Sequence, residues 1–150
     1  MRTISDKEIP TNTDYLAVIK EMREEFIRVS RGTSKILHRQ RISSESGTLD
    51  VMGALSQEEN LGAVKYYFYG KGIDFLISLF STKTSEILLT ITGKKLTRIR
   101  TAAATALATD ILSKNDSKVL ACIGTGFQAL EQVRAISQVR HIDLILINDI

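Results

Sequence analysis

Cysteine is nearly absent: Cys122 is the only one in 150 residues, so no disulfide can close within the chain. It stands in the apolar run Val119-Leu120-Ala121-Cys122-Ile123, where a thiol reads as an inert buried side chain. Long hydrophobic runs are missing too. None approaches the ~20 residues that a spanning helix needs, and the opening Met1-Arg2-Thr3-Ile4-Ser5-Asp6-Lys7-Glu8 has no signal-peptide core. A cytoplasmic location is the expectation. Charge is close to balanced, with 20 Lys and Arg against 17 Asp and Glu, a net of +3. Basic residues are interleaved with acids, and no basic helix alternates with stacking aromatics, which argues against nucleic acid as a partner. No internal repeat, low-complexity segment or metal-binding cluster stands out. What is present, 43% hydrophobic and 25% charged residues, is the composition of an ordinary globular domain with a real core.

Along the chain, a short lead-in ends at Pro10. Asn12 or Thr13 can cap a helix running to about Ser30, with Leu16, Ile19, Phe26 and Ile27 at helical spacing and Gly32 as its stop. From Thr33 to Thr92 the pattern turns to strands, expected at residues 49–52, 63–69, 75–80 and 87–91 and separated by Gly, Ser, Asn and Lys clusters. This predicts a small antiparallel or mixed sheet. A second long helix follows over residues 94–114. Its alanines, Ala102, Ala103, Ala104, Ala106 and Ala108, make a smooth surface for close approach. Arg98 and Arg100 lie near its start, where the helix dipole disfavours cations. Two such arginines beside Thr101 point to an anionic ligand there.

The segment 118–149 carries the most chemistry. It reads strand, glycine turn, helix, strand, and the turn is Gly124-Thr125-Gly126-Phe127-Gln128-Ala129. The apolar run before it suits a parallel strand covered on both faces. Gly124 permits the tight turn, Gly126 lets backbone approach a pyrophosphate, and Ala129 is small where helix and strand pack closely. The helix start offers N–H groups and a positive dipole end to phosphate. The second apolar run, residues 142–147, ends in Asn148-Asp149, near the spacing at which a polar side chain holds the adenosine ribose. NAD or NADP is the expected cofactor; the acidic end leans towards a free 2′-hydroxyl without deciding between them.

Leu96-Thr97-Arg98-Ile99-Arg100-Thr101-Ala102-Ala103 followed by Ile123-Gly124-Thr125-Gly126-Phe127-Gln128-Ala129 resembles the signature region of the ornithine cyclodeaminase and mu-crystallin family. His38-Arg39-Gln40-Arg41, Gly47-Thr48-Leu49-Asp50-Val51-Met52 and Gly62-Ala63-Val64-Lys65 fit the same pattern in the same order. The resemblance implies an α+β substrate and dimerisation domain over residues 1–115. The truncated β-α-β start of a Rossmann-type α/β domain follows over residues 116–150. It implies NAD(P)-dependent amino-acid metabolism: ornithine to proline plus ammonia, or a related amino- or imino-acid dehydrogenase or reductase. A non-catalytic ligand-binding or interaction protein of the mu-crystallin type is the alternative.

By position, the resemblance places Arg39 on the substrate carboxylate, with Lys65 as a second contact and proton donor. Arg100 completes the anion clamp and Thr101 contacts the cofactor. Gly124, Thr125, Gly126, Phe127, Gln128 and Ala129 cradle the pyrophosphate, and Asn148 or Asp149 the ribose. Arg41 competes with Arg39, and Lys65 at the head of an apolar strand can equally be a snorkelling surface lysine. The chain departs from the family in three places: Met52-Gly53 for a Met-Pro pair, Thr84-Ser85 for a Thr-Gly turn, and no acid near Thr92-Gly93. The catalytic aspartate of the cyclodeaminases and the remaining Rossmann strands are expected beyond Ile150. The expected partners are therefore a small amino or imino acid, and either a second copy or a second chain; the chain by itself is expected to be inactive.

Overall fold

The structure, a computed structural model, describes residues 2–149. The chain divides into two units. The first holds the chain up to Pro10 together with Glu25–Lys95, and the second holds Thr11–Glu24 and the chain from Leu96 onward. The second long helix therefore clusters with the glycine turn, although the sequence reading places it before a boundary at residue 115.

The first unit is built on six strands: β1 (Arg2–Ile4), β2 (Ser34–Ser44), β3 (Gly47–Ser56), β4 (Leu61–Tyr69), β5 (Ile73–Ser81) and β6 (Ile87–Thr92). Their order across the sheet is β1-β6-β5-β4-β3-β2. Every pairing is antiparallel except β1 against β6, so the sheet is mixed. Short hairpins set the register. Ser44 pairs with Gly47 across a two-residue turn, which brings Arg41 opposite Asp50. The turn into β6 contains Ser85 at φ +62°, a left-handed position that favours glycine. Serine thus holds a glycine-type conformation at the position where the resemblance expects Thr-Gly.

Alternation puts Asp50, Met52, Lys65, Tyr67, Phe75 and Ile77 on one face of this sheet. The other face carries Leu37, Ile42, Leu55, Tyr66 and Phe68, which are 40–71% exposed.

Helix α1 (Tyr15–Arg31) begins one or two residues later than expected. Asp14, not Asn12 or Thr13, supplies the cap, its Oδ1 accepting the Ala17 N–H at 3.0 Å. Gly32 at φ +77° ends the helix, as expected. Helix α2 (Lys94–Leu112) has no acid just before it in sequence. Asp6 provides one from the lead-in: its Oδ1 accepts the Lys95 N–H at 3.0 Å, while its own N–H donates to Thr92 Oγ1 at 3.1 Å.

The second unit gathers the start of α1, most of α2, β7 (Val119–Ile123), α3 (Ala129–Ile136) and β8 (Leu144–Asn148). Strands β7 and β8 pair in parallel. Its core is Tyr15, Ile19, Ile99, Ala102, Ala103, Ala106, Leu107, Ala135 and Ile136. Three fully buried alanines on α2 let neighbouring elements approach closely, as the smooth surface suggested. Among the described residues no helix is long and apolar enough to cross a membrane.

Candidate functional site: a basic sheet face and a glycine turn

In the first unit, a candidate site lies on the sheet face of Lys65. Strand β2 carries a bulge there. Leu37 pairs with Gly53 and Gln40 with Val51, so His38 and Arg39 both stand opposite Met52, the cross-strand partner of Lys65. The bulge therefore brings Arg39 and Lys65 to one row of the sheet, 26 positions apart in sequence. The Lys65 ammonium lies 4.5 Å from the centroid of the Phe75 ring and 5.4 Å from that of Tyr67. Half-buried over two aromatic faces, it is held by cation–π attraction and is not the solvent-seeking lysine of the alternative reading.

One row along sits a feature the motif search missed. Asp50 is only 2% exposed, and it receives Arg41 Nε at 2.7 Å and Arg41 Nη2 at 2.8 Å. The Tyr67 hydroxyl donates to the same carboxylate. The Arg41 hydrogen bonds, opposed by burial and helped by Tyr67, hold the Asp50 carboxyl down at about 2. The same pairing raises Arg41, and burial with the Asp50 bond raises Tyr67. The signal was available in the sequence: a carboxylate between Leu49 and Val51, with a hairpin arithmetic that places Arg41 across from it.

In the second unit, the hexapeptide forms an open turn between β7 and α3. Gly124 has φ +88°, a conformation L side chains rarely adopt, and its N–H donates to Asn148 O at 2.7 Å. Nothing lies within 4 Å of where a Cβ would sit on either Gly124 or Gly126. Gln128, at the N-terminal boundary of α3, has a buried Oε1 with no partner, and Arg98 has a buried Nε with none. Open space over both glycines, together with the unpartnered Arg98 Nε–H donor, fits a polyphosphate ligand. Backbone N–H groups of the turn and of the first turn of α3 would hold the pyrophosphate of a dinucleotide there.

The structure joins Asp149 to this turn. Its Oδ1 accepts the Thr125 N–H at 3.1 Å and its Oδ2 the Thr125 hydroxyl at 2.6 Å. The acid at the end of β8 thus pins the turn. The neighbouring Asn148 contributes its backbone carbonyl to Gly124. The Thr101 hydroxyl donates to Thr97 O at 2.6 Å, so towards a ligand it offers lone pairs unless that bond is broken. The two arginines of α2 differ in their surroundings. Two residues of helix turn the chain roughly 200°: Arg98 is half-buried with its guanidinium 5.1 Å from the Phe127 ring centroid, while Arg100 is exposed. The two arginines expected together at an anion thus leave α2 on different sides, with Arg98 against the Phe127 ring.

Solved and curated proteins resemble the chain in fold and in sequence. A probable ornithine cyclodeaminase from Bordetella pertussis superimposes with a TM-score of 0.94 at 30% identity, over 99% of this chain and 48% of that one. The Delta(1)-pyrroline-2-carboxylate reductase of Thermococcus litoralis, solved with NADH and L-proline, gives 0.93 at 28% identity, over 100% and 50%. A Delta(1)-pyrroline-2-carboxylate reductase from Bacillus cereus is 36% identical over 77 residues, 51% of this chain and 24% of the relative. The chain spans about half the length of these solved relatives. A profile of the ornithine cyclodeaminase/mu-crystallin family matches residues 1–150, and with the glycine turn and basic sheet face in that family's order, the chain belongs to it.

Proposed function

We propose that the chain binds NAD or NADP at the Gly124–Ala129 turn, serving cytoplasmic amino-acid metabolism on a small amino or imino acid held by its carboxylate. The observation that carries this is the open turn, with Gly124 at φ +88° and no atom within 4 Å of a Cβ at Gly124 or Gly126. Bound there, the nicotinamide supplies hydride transfer to or from the Cα of the substrate. The residues of this chain do the rest. Arg39 offers a planar fork to the carboxylate, and Lys65 adds a second positive charge and holds a proton at Nζ. Fixing the carboxylate aligns Cα, the main contribution of such residues to rate. Imine reduction and ornithine cyclodeamination both use that geometry.

Strand β8 is exposed at every position and pairs only with β7 among the described strands, so the 150-residue chain should hold a dinucleotide weakly. Amide chemical shifts report weak binding. NADH is expected to move the signals of residues 124–129, and Gly126→Leu to abolish those shifts without unfolding the protein, since the added side chain meets open space. Shifts of equal size in the variant would remove the turn from cofactor binding.

The exposed face of Leu37, Ile42, Leu55, Tyr66 and Phe68 favours self-association, in keeping with a homodimer or a second chain. It also favours the second reading, a non-catalytic ligand-binding or interaction protein of the mu-crystallin type. NADPH oxidation with cyclic imines, and ammonia release from ornithine, separate that reading from the enzymatic one.

A further inference from the structure

We propose that the groove beside Arg41 is a second carboxylate subsite, so that the substrate class of the Lys65 sheet face is an amino or imino dicarboxylate. This rests on the reading above in which Arg39 and Lys65 take the first carboxylate. The groove, about 450 Å³, is lined by Arg41, Thr48, Asp50, Tyr67, Tyr69 and Ile73. It lies on the same face as Lys65, because Asp50 and Tyr67 pair with each other and stand two residues along their strands from Met52 and Lys65. Two residues of strand measure roughly 7 Å, a separation that the two ends of a four-carbon dicarboxylate bridge.

The chemistry of the groove selects an anion. Arg41 spends two of its five N–H groups on Asp50, and the remaining three suit a carboxylate. Its side chain is 55% exposed while that of Asp50 is 3% exposed. The buried acid therefore acts as an anchor that fixes an accessible guanidinium, which lowers the entropy lost when a ligand docks. Asp50 itself is saturated by Arg41 and Tyr67, so it has little to offer the ammonium of a diamino acid. With Arg39 and Lys65 in the adjacent row, two separate positive sites face one side of the sheet. A purely structural cross-strand pair would account for the Arg41–Asp50 bond, but not for an accessible groove walled by it and by two tyrosines.

The test is a chemical-shift titration of the full chain with L-aspartate, L-asparagine, L-alanine and L-ornithine, followed at the amides of residues 39–41 and 65–67. L-aspartate should bind about tenfold more tightly than L-asparagine or L-alanine, the effect of one charge-assisted bidentate contact. In Arg41→Met the affinity for aspartate should fall to that for alanine. Because Arg41→Met leaves a buried carboxylate alone, the double variant Arg41→Met/Asp50→Asn is measured alongside and should behave the same way. Arg39→Met should weaken all four ligands together. Equal affinity for aspartate and alanine, a preference that survives both Arg41 variants, or tightest binding of ornithine overturns the second subsite while leaving the Arg39 clamp standing. If no ligand shifts any of these amides, the clamp and the subsite fall together.

Discussion

Arg140→Met is expected to lower the stability of the second unit by about 3 kcal/mol. The Arg140 side chain is 7% exposed, and it closes the C-terminal end of α2. Its Nη2 donates to Asp110 O at 2.7 Å and to Thr109 O and Ser113 O at 3.3 Å, its Nη1 to Asp110 Oδ1 at 3.0 Å, and its Nε to Ser113 Oγ at 3.0 Å. The last carbonyls of a helix have no partner within it and carry the negative end of its dipole, so one buried guanidinium satisfies several at once. Methionine keeps the volume and leaves those oxygens without donors. The loss stays at the lower end of the range for a broken buried pair because Asp110 is 39% exposed and keeps Arg23 at 3.3 Å. Arg140→Lys should recover less than half, since an ammonium cannot reproduce the fork. Arg23→Met, at an exposed pair, should cost less than about 1 kcal/mol. Native-state hydrogen exchange at the amides of α2 measures all three, and equal protection in Arg140→Met and Arg23→Met would defeat the argument.

Arg140 also shows where sequence reasoning stops. It stands four residues past the end of α3 in a polar stretch, and its partners on α2 and just beyond it lie 27–31 positions upstream. Nothing local marks it. The same holds for the Tyr15 hydroxyl donating to the buried Glu131, 116 positions away, and for Arg98 under Phe127. By contrast, the glycine turn, both long helices and four of the six sheet strands were legible, because each rests on a local rule: φ freedom at Gly124, apolar spacing in α1, alternation in β3 to β6. Strand β2 escaped because it is an edge strand. Every residue from Lys35 to Ser44 is exposed, and His38-Arg39-Gln40-Arg41 is the polar composition by which edges avoid further pairing. Strand β1 escaped because three residues carry no period. At the site, the glycines and the order of the basic residues were readable, whereas their grouping was not. Arg39 reaches the row of Lys65 through a bulge, and Asp149 reaches Thr125 across 24 residues; both are products of pairing register.

Gly47→Ala is expected to destabilise the first unit by about 2–4 kcal/mol, combining left-handed strain with overpacking. Gly47 follows the two-residue turn between β2 and β3 with φ +147°, and a Cβ there would lie 2.4 Å from Tyr69 O and 2.7 Å and 2.9 Å from atoms of the Phe68 ring. The ring can swing aside, but the Tyr69 carbonyl belongs to the neighbouring strand, so relief requires shifting the register of Thr48 against Tyr69. Gly72, also in a hairpin turn, is the control. A Cβ there meets nothing within 4 Å and its φ is not left-handed, so Gly72→Ala should be neutral or stabilise by up to about 1 kcal/mol through the unfolded chain. Urea denaturation followed at the tyrosines of β4 separates the two. The strain also has a functional address. Thr48 and Asp50 follow Gly47 on β3 and wall the groove beside Arg41, so a shifted β3 pulls Asp50 from its fork with Arg41. Gly47→Ala should therefore weaken aspartate binding at that groove while NADH still moves the amides of residues 124–129, which belong to the other unit. A loss of both responses would mean that the two units do not fold independently and that the glycine acts on the whole chain.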